Sequence, residues 1–174
     1  MSKHWRRRIT VPIIEGTLRR MFPEACVVGD KYPDYLFSLD SLVKRHGLFC
    51  LVLYRDCRDV TNSTLEKART VWHGRPFAEQ MNTAEKVATR WVHGIEIMER
   101  HADKLHIIGY EDLVQQPEQV FGALGKWLGV DAAGFPTHII RDTSIGKHKH
   151  GLTGKEQETV MKIAGPTMAR LGYL

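Results

Sequence analysis

Apolar and polar positions fall along this chain in blocks with two periodicities. The run Leu48-Phe-Cys-Leu-Val-Leu-Tyr54 is continuously apolar and rich in strand formers, which predicts a strand over 48–54 buried on both faces, as in a parallel sheet. It stops at a charged turn, and residues 58–72 then carry a helical pattern that His73-Gly-Arg-Pro76 breaks. Upstream, Ile13, Ile14, Leu18 and Phe22 space an amphipathic helix over 12–22, opened by Pro12. A short strand over 26–29 and a helix over 34–46 follow. Over 83–100, Val87, Trp91, Ile95 and Met98 mark one buried helical stripe. A second strand is predicted over 105–109, and Pro117 opens a helix to about Leu128. Residues 129–151 read mostly as loop. Thr153-Gly-Lys-Glu156 has the capping-box pattern for a last helix, which Gly165-Pro166 is expected to interrupt. Alternating strands and helices around an apolar strand argue for an α/β fold with a mostly parallel sheet. With no repeat, low-complexity tract or linker, residues 1–174 read as a single domain, the first eleven being a basic, solvated tail.

Chemistry in open α/β folds concentrates where a strand ends and a helix begins. Here that junction is Arg55-Asp-Cys-Arg-Asp59. Asp56 is placed to cap the helix, and Asp59, three residues on, to answer it from the first turn. Arg55 then stands at the carboxyl end of the strand and Ser63 about two turns into the helix. An anion over this junction meets a guanidinium fork, a hydroxyl and the positive end of the helix dipole. Read without further context, the same junction is equally a surface arginine in a capped turn.

The spacing Arg55-Asp-Cys-Arg-Asp59 with Ser63 eight residues after Arg55 resembles the sulfotransferases that use 3′-phosphoadenosine 5′-phosphosulfate (PAPS). In that family the Arg and the Ser hold the nucleotide's 3′-phosphate, so the resemblance implies that role for Arg55 and Ser63. Cys57 stands where Pro is usual. Other segments follow in the family's order. Val27-Val-Gly-Asp30-Lys31-Tyr-Pro33-Asp-Tyr35 is similar to a Glu-Lys-(Ser/Thr)-Pro-x-Tyr segment whose acidic residue is the candidate base for the acceptor hydroxyl, implying Asp30 as base with Lys31 offsetting charge. The stretch 105–113, ending in Tyr110-Glu-Asp-Leu113, resembles the family's Tyr-Glu-Asp-Leu passage, whose Tyr packs near the adenine. Ser144-Ile-Gly-Lys147-His-Lys149 resembles a loop that the family brings over the nucleotide, with His148 in place of Trp, and the ending Leu171-Gly-Tyr173 resembles its closing Leu-Gly-Tyr.

The resemblance covers residues from about 26 onward. It implies a three-layer fold related to P-loop nucleotide kinases, with helices flanking a mostly parallel sheet that here lacks its first strand. It also implies PAPS as donor, the bisphosphate PAP as product, a hydroxyl or amine acceptor, and no metal. These enzymes carry an amino-terminal loop resembling Pro-Lys-Ser-Gly-Thr-Thr, where backbone N–H groups and a Lys grip the 5′ phosphosulfate. The nearest string here, Pro12-Ile-Ile-Glu15-Gly-Thr17-Leu18, puts an acid where a cation is wanted and fits the amphipathic helix better. The alternative is therefore a partial or inactive nucleotide-binding module of the same fold. A sheet without its first strand also exposes an edge for another chain or a missing segment to cover, a copy of the same chain included.

Composition narrows the rest. The chain has 174 residues, enough for one substantial core, and a formal net charge of +5, suited to a polyanionic nucleotide, an anionic acceptor or nucleic acid. A small nucleic-acid binder rests on charge alone and matches none of the usual motifs. No apolar run reaches membrane-spanning length and no secretory-type hydrophobic segment follows the start, so a cytoplasmic protein is the default. Three cysteines argue against a disulfide framework: Cys26 and Cys50 are expected as buried thiols, and Cys57, between Arg55 and Arg58, as inert despite a basic setting that favours a lowered pKa. His148-Lys-His150 reads as an anion-contacting or solvated loop before a metal site. Trp91 and Trp127 read as core.

Overall fold

The computed structural model describes residues 10–174. Lys3, Arg6, Arg7 and Arg8, and with them residues 1–9 of the expected tail, lie outside the described residues, whereas Val11 already begins a helix. What is described is mixed α/β, mostly helical, with a small parallel sheet, in two compact units: an amino-terminal one ending at Tyr35, and Leu36–Leu174.

The amino-terminal unit is built on α1, Val11–Met21, with Pro12 in the first turn and Arg19 paired to Glu15 one turn back at 3.0 Å. Pro fits there because the first-turn N–H groups have no intrahelical partner. The predicted strand over 26–29 does not form. Four extended residues without a neighbouring strand have no ladder for their backbone groups, and Cys26 and Val27 are exposed. Cys26 is thus not the buried thiol expected.

The helix predicted over 34–46 is shorter and broken: a 3-10 turn, Pro33–Ser38, then the single α-turn α2, Leu39–Leu42. The Ser41 hydroxyl bonds the Ser38 carbonyl at 2.9 Å, a local alternative that competes with helix propagation. Strand β1 is Leu51–Tyr54 and pairs in parallel with β2, His106–Gly109, in the register Leu51↔His106 to Tyr54↔Gly109. Between them lie α3, Cys57–Arg69, and α4, Ala84–Arg100.

The expectation that β1 is buried on both faces fails on one of them. Cys50 and Val52 pack with Leu39 and Ile97, so α4 covers that side. On the other, Leu51 and Leu53 are 48% and 52% exposed. Side chains alternate along a strand, so residues paired across the register share a face. Trp127 of α6, Pro117–Leu128, stacks on His106 and meets Phe49 edge-on, and Ile108 is buried. The second face is therefore covered over β2 and bare over β1.

The main core lies between α3, α4 and α8, Gly154–Arg170, around Leu65, Val87, Ala88, Val160, Ala164 and Met168. The predicted stripe on α4 is borne out: Val87, Ile95 and Met98 are buried, and Trp91 packs at the core's margin. At the start of α8, Thr153 and Glu156 form the predicted capping box. Pro166, expected to interrupt α8, lies inside it on an exposed position, where the tertiary contacts of Ala164, Thr167 and Met168 outweigh the lost hydrogen bond. A short α5, Tyr110–Gln115, that the pattern did not predict joins β2 to α6, α6 ends at Gly129 in the left-handed conformation, φ 71°, and a single turn, α7, His148–Gly151, forms within the stretch expected to be mostly loop.

Candidate functional site

Arg55 follows β1 directly, and Asp56 caps α3 by accepting the Arg58 backbone N–H at 2.7 Å. The second half of the predicted capping pair is different. Asp59 does not turn back to the Asp56 N–H, which goes instead to Glu111 Oε1 at 3.2 Å. Glu111 also accepts from the Tyr173 hydroxyl at 2.8 Å, and Arg58 reaches the Tyr173 carbonyl at 3.2 Å, so the closing Leu-Gly-Tyr is tied to the turn from both sides. Burial, followed by the Glu111 hydrogen bond, pushes the Tyr173 phenol above its ordinary range.

Asp59 turns to the late loop. Its Oδ1 accepts the His148 backbone N–H and faces His148 Nδ1, each at 2.9 Å; its Oδ2 accepts the Gly146 N–H at 2.7 Å and lies 3.2 Å from Arg55 Nη2. Burial alone would raise this carboxyl, but the His148 and Gly146 donors and the Arg55 charge outweigh it and hold it below the usual carboxylate range. An ionised carboxylate only accepts, so His148 carries its proton on Nδ1.

Arg55 also donates to the Ser144 carbonyl, its guanidinium carbon lies 4.5 Å from the Tyr110 ring centre, and its own carbonyl accepts from the Trp91 indole at 2.9 Å. Among the described residues, Arg55 Nε is buried without a hydrogen-bond partner. Ser63 is half-buried on α3, one turn beyond Asp59, and its hydroxyl makes no hydrogen bond among the described residues. Lys147 and Lys149 are exposed on either side of buried His148, and Lys147 borders a groove of about 430 Å³ with Asn62 and Arg69 of α3. A larger cavity, about 520 Å³, beside Phe37, Arg90 and His93 contains none of the predicted site residues.

The structure thus gathers Arg55, Tyr110 and the 144–149 loop at the carboxyl end of the sheet. The side chains that do the gathering are Asp59, Glu111 and Trp91, for which local sequence suggests only a helix cap, a place in a motif and a place in the core. Only Asp59's nearness to Arg55 in sequence hinted at more. Asp30 and Lys31 belong to the amino-terminal unit and are exposed; there Asp30 accepts the Tyr35 hydroxyl at 2.6 Å. Cys57 is fully buried, and burial pushes its thiol up to about 12, opposite to what its basic neighbours suggest and consistent with an inert thiol.

No helix among the described residues is long and apolar enough to cross a membrane. Neither the curated proteins nor the solved structures contain a match to the chain. A family model described as "Sulfotransferase family" matches residues 13–134, which include Asp30, Lys31, Arg55, Ser63 and Tyr110 and stop short of the late loop. That match spans well over half of the 174 residues, and the strand-end arginine followed by a capped helix lies within it: the chain belongs to the sulfotransferase family.

Proposed function

We propose that this protein binds PAPS and transfers its sulfonate to a hydroxyl or amine, on a three-layer fold of the nucleotide-kinase kind. The observation that carries the reading is Arg55: a strand-end guanidinium whose Nε is buried and unpartnered, at the start of α3 and on the same junction as the free Ser63 hydroxyl. A buried N–H without an acceptor costs about 1–3 kcal/mol, a cost that a phosphate oxygen removes. In this reading Arg55 and Ser63 hold the 3′-phosphate, Tyr110 lies against the base, and Lys147 and Lys149 supply charge from the late loop. The acceptor atom bonds to sulfur as the bond from sulfur to the 5′-phosphate oxygen breaks. Asp30 takes the acceptor's proton, with Lys31 offsetting charge, and adenosine 3′,5′-bisphosphate leaves.

A second reading, a nucleotide-binding module without turnover, is favoured by one observation. Gly16 and Thr17, the nearest match to a phosphosulfate loop, lie inside α1, with the Thr17 hydroxyl bonded to the Ile13 carbonyl at 2.8 Å. Calorimetric titration with adenosine 3′,5′-bisphosphate, alongside a transfer assay with PAPS, separates the two. Arg55→Ala is expected to weaken binding about 100-fold, as loss of charge-assisted hydrogen bonds would. Binding without sulfonated product selects the module; binding that ignores Arg55→Ala overturns both.

A further inference from the structure

We infer that Asp59 is a positioning residue whose one buried carboxylate fixes Arg55 and the 146–148 turn together, so that the strand-end arginine and the late-loop lysines act as a single anion site. This rests on the reading of Arg55, Lys147 and Lys149 as nucleotide contacts. The Asp59 side chain is 1% exposed, and its four contacts, two on each oxygen, use about the full accepting capacity of a carboxylate. Three come from residues 87 or 89 positions downstream and one from Arg55. Lys147 sits between two residues whose backbone N–H groups are both held by Asp59, so its Cα is clamped while its side chain stays exposed. Gly146 makes the turn possible at φ 75°, a conformation other residues adopt at a cost. The same carboxylate engages Arg55 Nη2, and Arg55 reaches the loop again at the Ser144 carbonyl, leaving Nε unbonded.

The test is a thermodynamic cycle read by titration with adenosine 3′,5′-bisphosphate. Asp59→Asn keeps the shape and removes the charge; it is expected to weaken binding about 10-fold or more, as loss of one charged contact does. The pair Lys147→Ala/Lys149→Ala is expected to cost about 10-fold in the wild-type background and less than about 2-fold in Asp59→Asn, because lysines no longer positioned have little left to lose. A residue that merely supported the fold would leave those factors multiplicative. In parallel, ring nitrogen shifts should show His148 protonated on Nδ1 in the wild type and released from that tautomer in Asp59→Asn. Should Asp59→Asn fail to fold by circular dichroism, Gly146→Ala strains the φ 75° turn that sets Lys147 while leaving Asp59 in place, and the same non-multiplicative pattern is expected. Wild-type affinity in the folded variant, or multiplying factors, overturns the inference while Arg55→Ala still weakens binding about 100-fold. No binding by the wild type overturns it together with the functional reading.

Discussion

At the scale of single residues, the three cysteines separate by burial. Cys26 is exposed, Cys50 is buried with its thiol raised by burial, and Cys57 is fully buried with its thiol pushed up to about 12. Alkylation of the native protein at pH 8 should label Cys26 first and leave Cys57 unmodified until unfolding, as read by peptide mass; early labelling of Cys57 would refute its burial. Asp59 makes a prediction in pH. A carboxyl held lower in the folded chain contributes stability that is complete above its unfolded pKa, about 3.9, and is lost as pH falls through the folded value. The wild type should therefore exceed Asp59→Asn in urea midpoint at pH 7, and the gap should narrow on acidification below about pH 4. A gap constant with pH would mean that the hydrogen bonds and charge around Asp59 do not set its ionisation.

At the scale of elements, α8 makes opposite predictions at its two ends. Its start is a complete capping box, with Thr153 and Glu156 bonded both ways and Glu156 also paired to Arg69 of α3. Thr153→Ala should lower unfolding free energy by about 1 kcal/mol in urea titration. Pro166, exposed inside the helix, denies a donor to the turn before it, and Pro166→Ala should raise stability by about 1–3 kcal/mol; a loss instead would show the kink to be needed for packing. Elements were legible where local pattern dominates: α1, α3, α4, α6, α8 and the existence of both strands follow from periodicity, prolines and caps. The two failures have different causes: the strand at 26–29 lacks a neighbouring strand, which local sequence does not record, and the helix over 34–46 is interrupted where the Ser41 hydroxyl bonds the Ser38 carbonyl.

At the scale of the molecule, the sheet's uneven cover is open to measurement. Leu51→Ser with Leu53→Ser should cost less than about 1 kcal/mol, because those side chains are half exposed, whereas Val52→Ala, facing the cluster of Leu39, Cys50 and Ile97, should cost about 1–2 kcal/mol. A large loss from the serine pair would show that this face is covered in the protein. The α/β character, the helix periodicities and the Arg55 to Ser63 junction are legible in the amino-acid order, because each depends on residues within a few turns of one another. Packing alone decides which face of β1 is bare, that Cys57 is fully buried with its thiol pushed up and not down, and that Asp59 turns its carboxylate to a loop nearly ninety residues away instead of to its own helix cap. Burial and long-range hydrogen bonding are properties of the packed chain, and a carboxylate removed from water goes to the strongest donors that packing brings to it.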